Sequence, residues 1–91
     1  MAITNILASG STAASSSDVV VASGSIVTLL CTGPGSLIVE QKTSTGAYRP
    51  IGSLHGASNE ESSKQATGPI TLRVTRNAGQ TAGCEKDDGA E

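Results

Sequence analysis

Few residues in this chain have the types and spacing that chemistry requires. His55 is the single histidine. A general base, or a nucleophile activated by one, needs a partner and a group to orient the base. Ser53 and Ser58 stand near His55, but serine is so frequent along the chain that adjacency carries no meaning. His55 therefore reads as a surface-loop residue. Glu60–Glu61 and Asp87–Asp88 are adjacent carboxylates. Calcium asks for six or more oxygens from a shaped loop, and no acidic ladder with a glycine hinge is present. Both pairs read as solvated. Cys31 and Cys84, with one distant histidine, cannot complete a four-ligand zinc site within the chain without carboxylates or a partner. Gly33-Pro34-Gly35 is too short and too constrained by proline to cradle a phosphate ahead of a helix. These residues predict neither a catalytic set nor a cofactor or metal site, and the expectation is a protein that works by binding.

Binding candidates are few. Tyr48 is the only aromatic residue of the 91; phenylalanine and tryptophan are absent. A lone ring is either the largest piece of the core or an interface anchor. Arg49, Arg73 and Arg76 come near one another if the strand around Tyr48 pairs with the strand around Leu72. They would then bind an acidic surface or keep sheet edges soluble. Ile3, Ile6 and Leu7 form an apolar N-terminal segment, either a short strand or an arm that adds to a sheet edge on a neighbour. The cysteines lie fifty-three positions apart, 84 less 31. That separation suits a bridge between the layers of an immunoglobulin-like sandwich, but the usual tryptophan beside such a bridge is missing. In a reducing compartment the alternative is two free thiols, with Cys31 a small buried hydrophobe.

The elements that must position these residues are strands. Ile26 to Thr32 is a β-branched apolar run, Gly33-Pro34-Gly35 breaks it, and Leu37 to Lys42 resumes. Two such runs about a tight break predict an antiparallel hairpin. Period 2 puts Val27, Leu29 and Cys31 on one face and Ile26, Thr28 and Leu30 on the other. Asp18 to Ala22 reads as a strand. Thr43 to Gly46 is a turn with glycine at the position that wants positive φ. Ala47 to Leu54 is a strand that Pro50 places at an edge or makes irregular. His55 to Thr67 reads as a polar loop. Ile70, Leu72 and Val74 alternate with Thr71, Arg73 and Thr75, the pattern of a half-buried strand. Thr81 to Glu85 returns as a short strand. Together these predict an all-β fold: a small antiparallel β-sandwich, immunoglobulin-like or similar, or a β-barrel.

Length and composition bound the rest. One domain is expected, with residues 1–17 an N-terminal arm and flexible link, 18–85 the sandwich, and 86–91 an acidic tail. A chain this short buries roughly 60–65% of its unfolded surface, and eighteen Val, Ile and Leu must fill the core. So thin a core predicts a homo-oligomer or docking onto a larger assembly. The net charge of −2 argues against sequence-independent nucleic-acid binding. No apolar run approaches the ~20 residues of a membrane helix, and the first residues lack the form of a signal peptide.

Several stretches resemble small virion proteins of tailed bacteriophages: the Ile/Leu-bearing start with its Ser/Thr/Gly link, Asp18-Val-Val-Val-Ala-Ser-Gly-Ser-Ile-Val-Thr-Leu-Leu30, Leu37-Ile-Val-Glu-Gln-Lys42, Thr45-Gly-Ala-Tyr-Arg-Pro-Ile-Gly52 and Gly68-Pro-Ile-Thr-Leu-Arg-Val-Thr-Arg76. The likeness covers most of residues 3–85. Tyr48 stands where such proteins usually carry Trp or Phe, and the acidic tail has no counterpart. The resemblance implies a capsid decoration, or cement, protein, often trimeric. Such a protein is made in a bacterial cytoplasm, carried on the virion and bound to a major capsid protein. The alternative is a tail or head-fibre module that binds carbohydrate or a host surface.

Overall fold

The computed structural model describes residues 3–10, 12–57 and 61–87. Ala2, Ser58, Glu60 and residues 88–91 lie outside them. So does part of each expectation that rested on those residues: the first residue of the N-terminal segment, one member of each carboxylate pair, and the tail beyond Asp87. Nine strands carry the described chain: β1 (Ile3–Leu7), β2 (Ala14–Ser15), β3 (Val19–Val21), β4 (Ile26–Thr32), β5 (Ser36–Lys42), β6 (Tyr48–His55), β7 (Ser63–Thr67), β8 (Ile70–Arg76) and β9 (Gly83–Asp87). They form two antiparallel sheets packed face to face. One has the order β1-β9-β4-β7. The other has the order β2-β8-β5-β6, with β3 continuing β2 along the same edge of β8. The fold is all-β, a small sandwich. With β2 and β3 counted as one broken strand, only β5 to β6 stays within a sheet, and every other step crosses between layers. Among sandwich topologies this is the jelly-roll order.

The core follows from the period-2 patterns. Val27 and Leu29 of β4, Leu37 and Val39 of β5, Leu54 of β6, Leu72 and Val74 of β8 and Cys84 of β9 are buried, together with Val19, Val21, Leu7 and Ala82. Each large member contributes about 1.5–3 kcal/mol by leaving water.

The expected hairpin at Gly33-Pro34-Gly35 is absent. β4 and β5 lie in different sheets, and the break carries the chain from one layer to the other. Gly33 and Gly35 hold φ of 80° and 113°, which residues with a Cβ rarely adopt. The reason is apolar cover. As a hairpin, both runs would present their inward residues to the same side; folded across the layers, Val27 and Leu29 have Leu37 and Val39 to pack on. The within-sheet hairpin falls instead at Thr43–Ala47, closed by Thr43 N–H on the Ala47 carbonyl. β6 is an edge strand, and its ladder slips beside Pro50, where Val39 pairs Gly52 and Glu40 pairs Pro50.

Two polar stretches are more ordered than the sequence suggests, and the N-terminal segment is a strand of the sandwich. β7 lies inside the expected loop and pairs with β4. Its Ser, Lys, Gln and Thr side chains are exposed or half-buried, so backbone hydrogen bonds hold it and hydropathy is silent. β1 pairs with β9 of its own chain. The link between residues 9 and 17 contains β2, and it is fastened at two points. Ser16 is buried: its N–H donates to the Val74 carbonyl at 2.8 Å, and Val74 N–H donates to Ser16 Oγ at 3.0 Å. Arg76, expected at the surface, is 4% exposed. Its Nε donates to the Thr12 carbonyl at 2.8 Å, and its Nη1 to the carbonyls of Ala8 at 2.6 Å and Ala82 at 2.9 Å. β9 runs through Lys86 to Asp87, so the strand continues past the expected boundary at 85.

Candidate functional site

Among the described residues, an extended set of polar side chains lies on the outer face of the β2/β3-β8-β5-β6 sheet. Alternation aims Glu40 and Lys42 of β5 away from the core that Leu37 and Val39 enter. It does the same for Arg73 and Thr75 of β8, between Leu72, Val74 and Arg76. Register then brings them together: Glu40 pairs Arg73 on one side and Pro50 on the other, and Lys42 pairs Tyr48.

Glu40 Oε1 is the hub. It accepts from Arg73 Nε at 3.0 Å, from Arg73 Nη2 at 2.9 Å and from Thr75 Oγ1 at 2.7 Å. Thr75 Oγ1 is also 3.0 Å from Ser15 Oγ of β2. The Arg73 guanidinium lies 3.6 Å from the centre of the Tyr48 ring, and Lys42 Nζ lies 5.8 Å from it. Cations over an aromatic face are attracted by the negative charge of the ring's face. The Tyr48 hydroxyl donates to Asp18 Oδ1 at 2.6 Å, and Lys42 Nζ donates to Asp18 Oδ2 at 3.2 Å. Asp18 sits in the break between β2 and β3. Ser16 still pairs with Val74 and Val19 with Leu72, so two residues, Ser17 and Asp18, stand opposite Arg73 alone. This extra residue is what frees Asp18 to reach Tyr48.

The same contacts shift the acid–base equilibria of Asp18, Tyr48 and Lys42. The Tyr48 hydrogen bond, then that of Lys42, holds the Asp18 carboxyl below its ordinary value. Asp18, by hydrogen bond first, pushes the Tyr48 phenol up, and it does the same to the Lys42 amine. The result is one connected lattice, Ser15–Thr75–Glu40–Arg73–Tyr48–Asp18–Lys42, across four strands and a break. Chemically it can present a rigid mixture of ring, guanidinium and carboxylate to another surface. Exposed apolar residues flank it: Val20 of β3 at 73% and Ile51 of β6 at 42%.

Of the residues singled out by sequence, the structure brings Tyr48 and Arg73 together. Their strands do not pair; β5 lies between them, and the long guanidinium reaches across it. Arg49 is exposed but pairs Gln41, on the opposite side of β6 from Tyr48. Ile3, Ile6 and Leu7 sit on the other sheet. Ile3 is 57% exposed, Ile6 is half-buried and Leu7 is buried in the core. Arg76 is interior. Ser15, Asp18, Glu40, Lys42 and Thr75 escaped the sequence reading. The polar phase of β5 and β8 marks three of them, but nothing in sequence marks Asp18.

Ser53, His55 and Glu61 also meet: Ser53 Oγ is 3.0 Å from His55 Nε2, and Glu61 Oε1 is 3.5 Å from the same nitrogen. A catalytic relay uses both ring nitrogens, one toward the nucleophile and one toward the orienting carboxylate. Here both partners crowd one nitrogen on an exposed edge. A cleft of about 330 Å³, lined by Val19, Val20, Val21, Ile26 and Lys86 among others, contains no member of the lattice and meets its flank only at Val20. Comparison with protein families, with characterised proteins and with solved structures finds no match for the chain.

Proposed function

We propose that this protein is a structural binding module of the capsid-decoration type, which docks on the outside of a phage head and stabilises it by bridging shell subunits. The observation that carries the reading is the fixed lattice around Tyr48 and Arg73 on an open sheet face, with Val20 and Ile51 exposed at its sides. Tyrosine and arginine are the residues that most often dominate binding energy. Side chains already held by Glu40 and Asp18 lose less freedom on docking than loose ones. A ligand that binds only the assembled shell stabilises it by mass action, with no chemical step. Jelly rolls also serve as capsid and lectin domains, but function belongs to the site and not to the fold. The alternative, carbohydrate binding, is less favoured because Arg73 already covers the Tyr48 ring on which a sugar would stack.

β1 already gives hydrogen bonds to β9, so the sheet face, rather than a loose arm, carries the docking in this reading. A trimer remains the expected assembly. The test is binding of the purified protein to phage heads that lack it. Tyr48→Ala and Arg73→Ala should each weaken binding by about ten- to a hundredfold, the range of interface hot spots. Circular dichroism should report an unchanged fold. Deleting residues 1–7 should weaken binding less, after correction for the fraction folded. Head binding unaffected by both point substitutions would refute the docking face, and absence of head binding by the wild type would refute the function.

A further inference from the structure

Cys31 on β4 and Cys84 on β9 stand directly opposite each other in the ladder. Both are free thiols. Cys31 N–H donates to the Ser62 carbonyl at 2.7 Å, toward the β7 side of β4, so its peptide groups point away from β9. The two cysteines therefore form a non-hydrogen-bonded antiparallel pair, the closer kind, with Cα atoms about 4.5 Å apart. Disulfides span Cα separations of about 4.4–6.8 Å. Residues opposite one another share a face, and both side chains join the core: Cys84 is fully buried, and the half-buried Cys31 packs against the same cluster.

From this pairing we infer that Cys31 and Cys84 are a site of reversible oxidation, closed to a cross-strand disulfide by small disulfides of the glutathione class. The bridge would link neighbours within one sheet, not the two layers. The burial difference sets the order of events. Cys31 is the accessible sulfur. As it loses its proton it attacks the reagent disulfide; the reagent S–S bond breaks, a mixed disulfide forms on Cys31, and one small thiol leaves. Cys84 then loses its proton and attacks the Cys31 sulfur, and the second small thiol leaves. Two protein thiols become one disulfide, and one reagent disulfide becomes two thiols. The second step is slow, because burial, with Cys31 alongside, pushes the Cys84 thiol up to about 12, and the thiolate is the attacking form. The chain would thus be made with open thiols in a reducing compartment and be cross-linked after reaching an oxidising one. β9 would then be tied to β4, the other inner strand of its sheet. This inference is independent of the partner surface.

The full chain is incubated folded with oxidised glutathione and followed by intact mass and by peptide mapping. The expected end product is two hydrogens lighter than the starting chain, carries a Cys31–Cys84 bridge and returns to the starting mass with dithiothreitol. Cys84→Ser should stop at the glutathione adduct on Cys31, and Cys31→Ser should stay unmodified while folded. A wild type that keeps the adduct without closing, stays unreacted, or forms linked dimers instead overturns the inference. All three of those readouts are on the wild type, so they do not depend on the variants folding.

Discussion

Replacing Arg76 with methionine tests whether a buried cation fastens the N-terminal segment to the sandwich. Methionine keeps much of the side-chain volume and removes every donor, so the lost hydrogen bonds are isolated from lost packing. Arg76 bonds three carbonyls, those of Ala8, Thr12 and Ala82. The bond to Ala82 is buried, and a buried carbonyl left without a donor costs about 1–3 kcal/mol. The other two bonds are partly buried, and water recovers part of their loss. Methionine also avoids the cost of burying a charge. The net expectation is a loss of about 3 kcal/mol. A 91-residue chain holds about 5–14 kcal/mol in total, so the variant gives up a large share. Its melting midpoint should fall by roughly 12–24 °C. Urea unfolding followed by Tyr48 fluorescence, a single-residue probe here, measures the change. Hydrogen exchange should rise in residues 8–16 more than in β5. Arg76→Lys should recover part of the stability, since one amine cannot reach three carbonyls as the planar fork does. Gly10→Ala should act in the same direction more weakly, because its Cβ would lie 3.2 Å from Arg76 Nη2. An Arg76→Met variant within about 1 kcal/mol of wild type, with unchanged exchange at 8–16, would refute the clamp.

The Tyr48 phenol should titrate above its ordinary 10.0, read by ultraviolet absorbance, and Asp18→Ala should bring it down. Tyr48 is raised in the fold, so its contribution to stability is present below pH about 10 and fades as pH rises through the folded value. Asp18 is lowered, so its contribution is present above pH about 4 and is lost as pH falls through its folded value; acid titration of Asp18→Ala should lack that loss. Leu29→Ala empties a fully buried position and should cost about 2–5 kcal/mol in urea unfolding, whereas Ile51→Ser on the exposed edge should stay within about 0.5 kcal/mol. Glu40→Ala removes the acceptor of three donors, and Tyr48 fluorescence should change as Arg73 is released from its place over the ring.

Residue order alone pointed to an all-β fold, because period-2 alternation and glycine or proline breaks are local signals. It also set Val27 with Leu29, and Ile70 with Leu72 and Val74, on common faces, and it placed the Pro50 strand at an edge or made it irregular; which face of β4 turned inward was decided by the fold. Residue type alone singled out Tyr48 and Arg73 as contact candidates. What tertiary structure decided was how separate segments meet. Whether Gly33-Pro34-Gly35 turns within a sheet or across the layers depends on where cover for both apolar runs is found, and no local pattern holds that information. β7 was invisible because its pairing with β4 is made by backbone groups that every residue carries. Arg76 read as a surface charge because its compensating carbonyls lie at residues 8, 12 and 82. Asp18 joined the lattice only through an extra residue opposite Arg73, and Cys31 met Cys84 only through strand register. Each of these contacts depends on pairing between distant strands, and that pairing is fixed by the summed burial of the whole core rather than by any one stretch of chain.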